Sequence, residues 1–115
     1  MRIKNGVTTH RRHKKVLALT KGQRASRHSL YRRAHESMMH SLSYAYAHRR
    51  ERKGDIRRLW ISRINAAAKN NGMNYSRFMY GLKKSDIDID RKMLADLAVR
   101  QPEAFSKLAE LAQAA

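Results

Sequence analysis

From Met1 to His35 the chain contains no aspartate and no glutamate, although arginine and lysine recur every few positions. A stretch of one sign repels itself when packed, so it either stays extended or lies against something of opposite charge. The imbalance continues to Arg58. Residues 1–58 hold 17 basic and 3 acidic residues, and residues 59–115 hold 9 and 6. Apolar residues run the other way, with 19 in the first part and 29 in the second. The charge therefore belongs to an N-terminal arm, residues 1–58, and the core to a small domain, residues 59–115.

Over the whole chain the net charge is +17 and the sequence pI about 11.2, which asks for a polyanionic partner. Nucleic acid is the commonest such partner, and an anionic membrane surface is the other candidate. No apolar run approaches the roughly 20 residues of a spanning helix. Met1 to Thr9 has no apolar stretch of the signal-peptide kind. There are no cysteines, which removes disulfides, thiol catalysis and every cysteine-containing zinc site, and fits a reducing compartment.

The domain reads as four short helical segments and no confident strand, so the fold class is all-α. Trp60, Ile64 and Ala68 share one face of a helix that stops near Asn71-Gly72. Tyr75, Phe78, Met79 and Leu82 mark a second helix, with Gly81 near its end. Asp90 is the expected N-cap of a third, with Met93, Leu94, Leu97 and Ala98 on its apolar face. Pro102 suits the first position of a fourth, striped by Phe105, Leu108, Ala109 and Ala112. The expected core is Trp60, Ile64, Phe78, Leu82, Leu94, Leu97, Phe105 and Leu108. About 57 residues bury only a modest core, enough to fold alone but marginally.

The arm has helical propensity without a broad apolar face. Thr9 is a possible cap for a helix through Thr20, closed by Lys21-Gly22. Ser26 is a possible start for one very long helix continuing into the Trp60 segment, with Gly54 as its expected kink. Leu30, Ala34, Met38 and Leu42 draw only a thin apolar line along it. An arm so charged is expected to be partly disordered when free and to become ordered on RNA.

The basic residues gather at Arg11, Arg12, His13, Lys14 and Lys15, then at Lys21, Arg24, Arg27, Arg32 and Arg33, and again at Arg49, Arg50, Arg52 and Lys53. Solvated charged faces normally mix signs, so these clusters read as phosphate contacts. Arg outnumbers Lys in the arm, which suits bidentate phosphate binding and stacking on bases. Tyr31, Tyr44 and Tyr46 lie among the charges, either to stack on unpaired bases or to pack on the apolar line. All six histidines lie in the arm. His10 and His13 have the spacing of a metal pair, but surrounding cations and the lack of a carboxylate speak against zinc.

Other constellations fail. Asp86, Asp88 and Asp90 begin like a calcium loop, but Arg91 and Leu97 occupy positions that require Gly and Glu. They read instead as turn formers and helix caps. With Gly only at 6, 22, 54, 72 and 81, no phosphate-cradling loop is present. No nucleophile motif, cofactor site or small-molecule site emerges, and the residues point to no enzyme.

Three blocks carry a resemblance. They are the run from Leu59 to Ala67 (LWISRINAA), then Tyr75-Ser76, Phe78 and Gly81-Leu82-Lys83-Lys84, and the run from Asp90 to Ala98 (DRKMLADLA). Together with His13-Lys14-Lys15, Lys21-Gly22, Tyr46-Ala47, Arg49-Arg50 and Arg52-Lys53, they closely resemble the bacterial large-subunit ribosomal protein L-twenty family. A glycine usual in that family soon after Gly22 is absent here, and Gly54-Asp55 replaces a more basic pair. The resemblance implies a long helical extension threading ribosomal RNA and a small helical domain on the subunit surface. It implies a structural role in the large ribosomal subunit and in its early assembly, with neighbouring ribosomal proteins as partners. Translational autorepression through messenger RNA occurs in some members. The implied location is the ribosome, in a bacterial cytoplasm or an organelle with bacterial-type ribosomes. In the domain, Arg57, Arg58, Arg63, Lys83, Lys84, Arg91 and Lys92 are the expected exposed RNA contacts. The main alternative is a histone-like DNA-architectural protein. A basic helical module for a membrane or an acidic protein ranks below it, because the arm's apolar line is too thin.

Overall fold

A computed structural model describes residues 2–114. Its helices are α1 (Gly6–Leu19), α2 (Tyr31–Asn70), α3 (Tyr75–Lys84), α4 (Arg91–Arg100) and α5 (Pro102–Ala114), with one 3₁₀ turn at Ala25–His28. No strand occurs among the described residues, and the all-α class read from the sequence holds. By internal contacts the chain forms two compact units, Met1–Arg50 and Glu51–Ala115, and α2 contributes to both.

In the second unit the helix boundaries follow local chemistry. Helix α2 stops because Gly72 takes φ +77°, which lets its N–H reach the Lys69 carbonyl and the Met73 N–H reach that of Ala68. This paired closure satisfies carbonyls that the helix end would orphan, and it delivers Met73 into the core. Asn74 then caps α3, its Oδ1 accepting from the Arg77 N–H at 2.9 Å. Helix α3 ends in the same paired closure, with Asp86 at φ +56° where glycine is usual. Asp90 caps α4 through Oδ1 and the Met93 N–H at 2.7 Å. Asp86 and Asp90 thus serve as the turn former and cap that the sequence suggests.

Ile64, Ala68, Met73, Phe78, Leu82, Leu94, Ala95, Phe105, Ala109 and Ala112 make the core. Phe78 and Phe105 stack at its centre, ring centroids 4.8 Å apart. Each fully buried aromatic of this kind stabilises by roughly 1.5–3 kcal/mol relative to exposure. Three expected core residues are corrected in degree. Trp60 and Leu108 are only partly buried, at the edge of the cluster, and Leu97 is partly buried outside it. On α4 the face that packs is Leu94 and Ala95, with Ala98 partly buried beside them and Met93 57% exposed. The helix is only ten residues long and α5 crosses it, so the buried strip is narrower than the periodicity suggests.

The first unit is less bare than its sequence suggests. Along α1, His13, Val16 and Thr20 fall on one face, three and four residues apart. Val16 and Thr20 are buried, as is Ala34 of α2. The His13 ring stacks on Tyr31 with centroids 3.7 Å apart. Gln23 ties the turn to α2, its amide donating to Ser41 Oγ at 3.3 Å and its carbonyl oxygen accepting from the Ser37 hydroxyl. The thin line along α2 is therefore buried at one point, Ala34. Two expected starts are corrected. Helix α1 begins at Gly6 after Asn5, not at Thr9, because an exposed first turn continues backward without a side-chain cap. Helix α2 begins at Tyr31, not Ser26, because Ala25 at φ +60° opens a separate 3₁₀ turn. The helical backbone of α2 continues through Gly54 without a break, so the expected kink does not interrupt it. One glycine costs about 1 kcal/mol, which good helix formers such as Arg52, Lys53 and Arg57 on either side absorb.

Candidate nucleic-acid interface

In the first unit the inward face of α1 decides where its charges go. With Val16 and Thr20 buried and His13 stacked on Tyr31, Arg11, Arg12, Lys14 and Lys15 are left to solvent, and all four are exposed. His13 is the exception among the expected contacts: it is half-buried, its ring engaged by Tyr31. Lys21, Arg24, Arg27, Arg32 and Arg33 are exposed around the turn and the start of α2. Arg33 meets Glu36 at 3.6 Å, a pair open to water on both sides. His28 is held by its Nδ1 against the Gln23 carbonyl at 2.9 Å.

Farther along α2, Arg49, Arg50, Arg52, Lys53, Arg57 and Arg58 are all exposed. At 3.6 residues per turn they cover much of the helix circumference, so no single face is basic. The guanidinium of Arg50 lies over the Tyr46 ring at 4.6 Å, which orders it by cation–π attraction. Arg58 meets Asp55 at 3.3 Å.

In the second unit Arg63, Lys83, Lys84 and Lys92 are exposed as expected. Arg91 is not free-standing: it is half-buried, and its Nε donates to the Tyr75 hydroxyl at 2.9 Å. Its contact surface is correspondingly reduced. An open groove of about 860 Å³ is lined by Arg57, Trp60, Tyr80, Lys83, Asp88 and Lys92 together with the apolar Met79, Ile87 and Ile89. It mixes both signs of charge. Exposed basic residues outside the sequence clusters are Lys69, Arg77 and Lys107, together with Arg100, which is paired to Asp96 at 2.9 Å. They stand alone in the sequence, so clustering gives no sign of them and only their exposure does.

Of the expected aromatic platforms, Tyr31 is engaged by His13, whereas Tyr44 and Tyr46 are 60% and 56% exposed. No group of three or more His, Cys, Asp or Glu is gathered as a metal site among the described residues. No helix among them is long and apolar enough to cross a membrane.

An all-helical chain with a basic extension, a small aromatic-centred domain and exposed basic residues on both defines a class: small, strongly basic, all-helical proteins. The model of the family Ribosomal protein L20 matches residues 2–108, and the chain belongs to this family of structural, non-enzymatic proteins. Similar relatives carry the name large ribosomal subunit protein bL20. One from Dehalococcoides mccartyi is 63% identical over 99% of this chain and 96% of its own length. One from Moorella thermoacetica is 56% identical over 97% and 93%. One from Thermomicrobium roseum is 56% identical over 100% and 98%.

Proposed function

We propose that this chain is a structural constituent of the large ribosomal subunit that binds large-subunit ribosomal RNA directly and supports early assembly of the subunit. The observation that carries the reading is the stretch from Met1 to His35 without an acid, whose exposed arginines and lysines no carboxylate of that stretch can neutralise. Phosphate is the counter-charge such a surface takes, and release of condensed ions makes the binding favourable. Arg11, Arg12, Lys14, Lys15, Arg49, Arg50 and Arg52 supply the main contacts, and Lys83, Lys84 and Lys92 supply those of the small domain. Neighbouring ribosomal proteins complete its surroundings. The same domain surface would serve a messenger RNA that imitates the ribosomal site, so translational autorepression is part of the proposal. The test is a competition across a salt series, with labelled large-subunit ribosomal RNA against excess duplex DNA. Retention of the RNA with a steep salt dependence supports the reading. Equal competition by DNA at every salt concentration would overturn it in favour of a histone-like DNA-architectural role.

A further inference from the structure

Three rings stand in register on α2. His40, Tyr44 and His48 are spaced four residues apart, so they fall on one face of the helix, and all three are exposed. The Tyr44 ring lies 6.5 Å from His40 at 26° and 5.8 Å from His48 at 16°. Those separations fall within the offset-stacking range of aromatic pairs. A row of flat rings left in water is unexpected on a helix otherwise given to charge, and Tyr44 in its middle is 60% exposed. At one end of the row lies a hollow of about 280 Å³, lined by Arg27, Arg33, Glu36, Ser37, His40 and Tyr44.

We propose that this hollow, backed by the Tyr44 ring, is a seat for an unpaired RNA base. The inference rests on the RNA-binding reading above and deepens it, assigning base contact to one place among many phosphate contacts. Each wall offers what a nucleotide needs. Tyr44 supplies a ring for stacking: it is 60% exposed, and the 6.5 and 5.8 Å offsets of His40 and His48 leave part of its surface open. Arg27 and Arg33 supply positive charge for the flanking phosphates. Glu36 is the one carboxylate at the hollow, and it accepts from a ring N–H or an amino group of a base edge. A duplex cannot use the seat, because its bases are already stacked and paired. The occupant is therefore a looped or single-stranded nucleotide.

The test compares wild type with Tyr44→Leu and Tyr44→Phe on two RNAs of matched phosphate number, one short and unstructured, the other a blunt duplex. Leu keeps the helix and removes the ring face; Phe restores it. Tyr44→Leu should bind the unstructured RNA about tenfold more weakly, whereas Tyr44→Phe stays near wild type. Affinity for the duplex and its salt dependence should not move in either variant. With 5-iodouridine placed in the unstructured RNA, photo-crosslinking should attach to Tyr44 in the wild type. Undiminished binding by Tyr44→Leu, an equal loss on both RNAs, or an adduct mapped elsewhere would overturn the seat. If duplex binding and its salt dependence persist in that event, the seat alone falls; a wild type that binds neither RNA sinks the RNA-binding reading as well.

Discussion

A methyl group on Gly81 would stand 2.1 Å from the Ala112 carbonyl oxygen, 2.7 Å from its carbon and 2.8 Å from its Cα. These are backbone atoms of α5, so the clash cannot be relieved by turning a side chain. Gly81 is fully helical and has no need of its backbone freedom; it is glycine because α3 and α5 cross in contact there. Gly81→Ala should destabilise the domain by about 3 kcal/mol or more, the upper end of overpacking costs. In a domain of this size that lowers the melting temperature by more than roughly 10 °C, read by thermal unfolding followed by circular dichroism. A shift of only a degree or two would show that the helices do not meet so closely. The sequence places this glycine near the end of a helix but gives no reason for it, because the reason lies 31 positions away in α5. Trp60 shows the same limit: its periodicity correctly puts it on the buried side, yet only the packed structure shows that it sits at the rim. Tyr31 and Tyr44 look alike in sequence. They part because His13 stacks on one ring at 3.7 Å, whereas the other has only the more distant rings of His40 and His48 and stays 60% exposed.

Helix ends in the small domain were legible because each rests on chemistry that neighbouring residues supply. Asp90 before α4, Gly72 after α2 and Pro102 at the start of α5 act where the sequence puts them. Asp90→Ala removes an acceptor from the first turn of α4 and should cost about 1 kcal/mol, with Asp90→Asn nearly silent. Urea unfolding checks it: the midpoint of Asp90→Ala should fall with the slope unchanged. A midpoint equal to wild type would mean that water replaces the cap without loss. In the arm two helices start elsewhere than local composition suggests. Ser26 has the composition of a cap, but Ala25 has already taken a left-handed backbone, and the chain spends one 3₁₀ turn before α2 begins at Tyr31. That offset brings the Tyr31 ring to His13, a contact between elements that no local rule contains. A left-handed alanine is a strained choice there, since its Cβ carries a steric cost that glycine would not.

The distribution of charge needs no fold to be read, and it carries most of the functional argument. With 26 basic and 9 acidic residues, pairing of every carboxylate would still leave the chain strongly positive. The pairs present at Arg33–Glu36, Arg58–Asp55 and Arg100–Asp96 are solvent-exposed, and such pairs contribute only about 0–1 kcal/mol each. They do not bind the cations tightly enough to withhold them from phosphate. The structure adds which cations can act together. Arg49, Arg50 and Arg52 lie within about 160° of one another around α2 at 100° per residue, so one phosphate backbone can meet all three. Tyr46 already orders one of them by lying under the Arg50 guanidinium. Replacing the three with alanine keeps or improves helix propensity, so the change removes contacts without unmaking the element that carries them. Each lost phosphate contact removes close to one unit from the slope of log affinity against log salt. The triple variant should therefore bind large-subunit ribosomal RNA more weakly at low salt, with a slope shallower by about 2–3. Fluorescence anisotropy across a salt series measures both quantities at once. An intercept that falls while the slope stays unchanged would mean that these arginines meet the RNA through something other than its phosphates, and the argument from unneutralised charge would no longer apply to this part of α2.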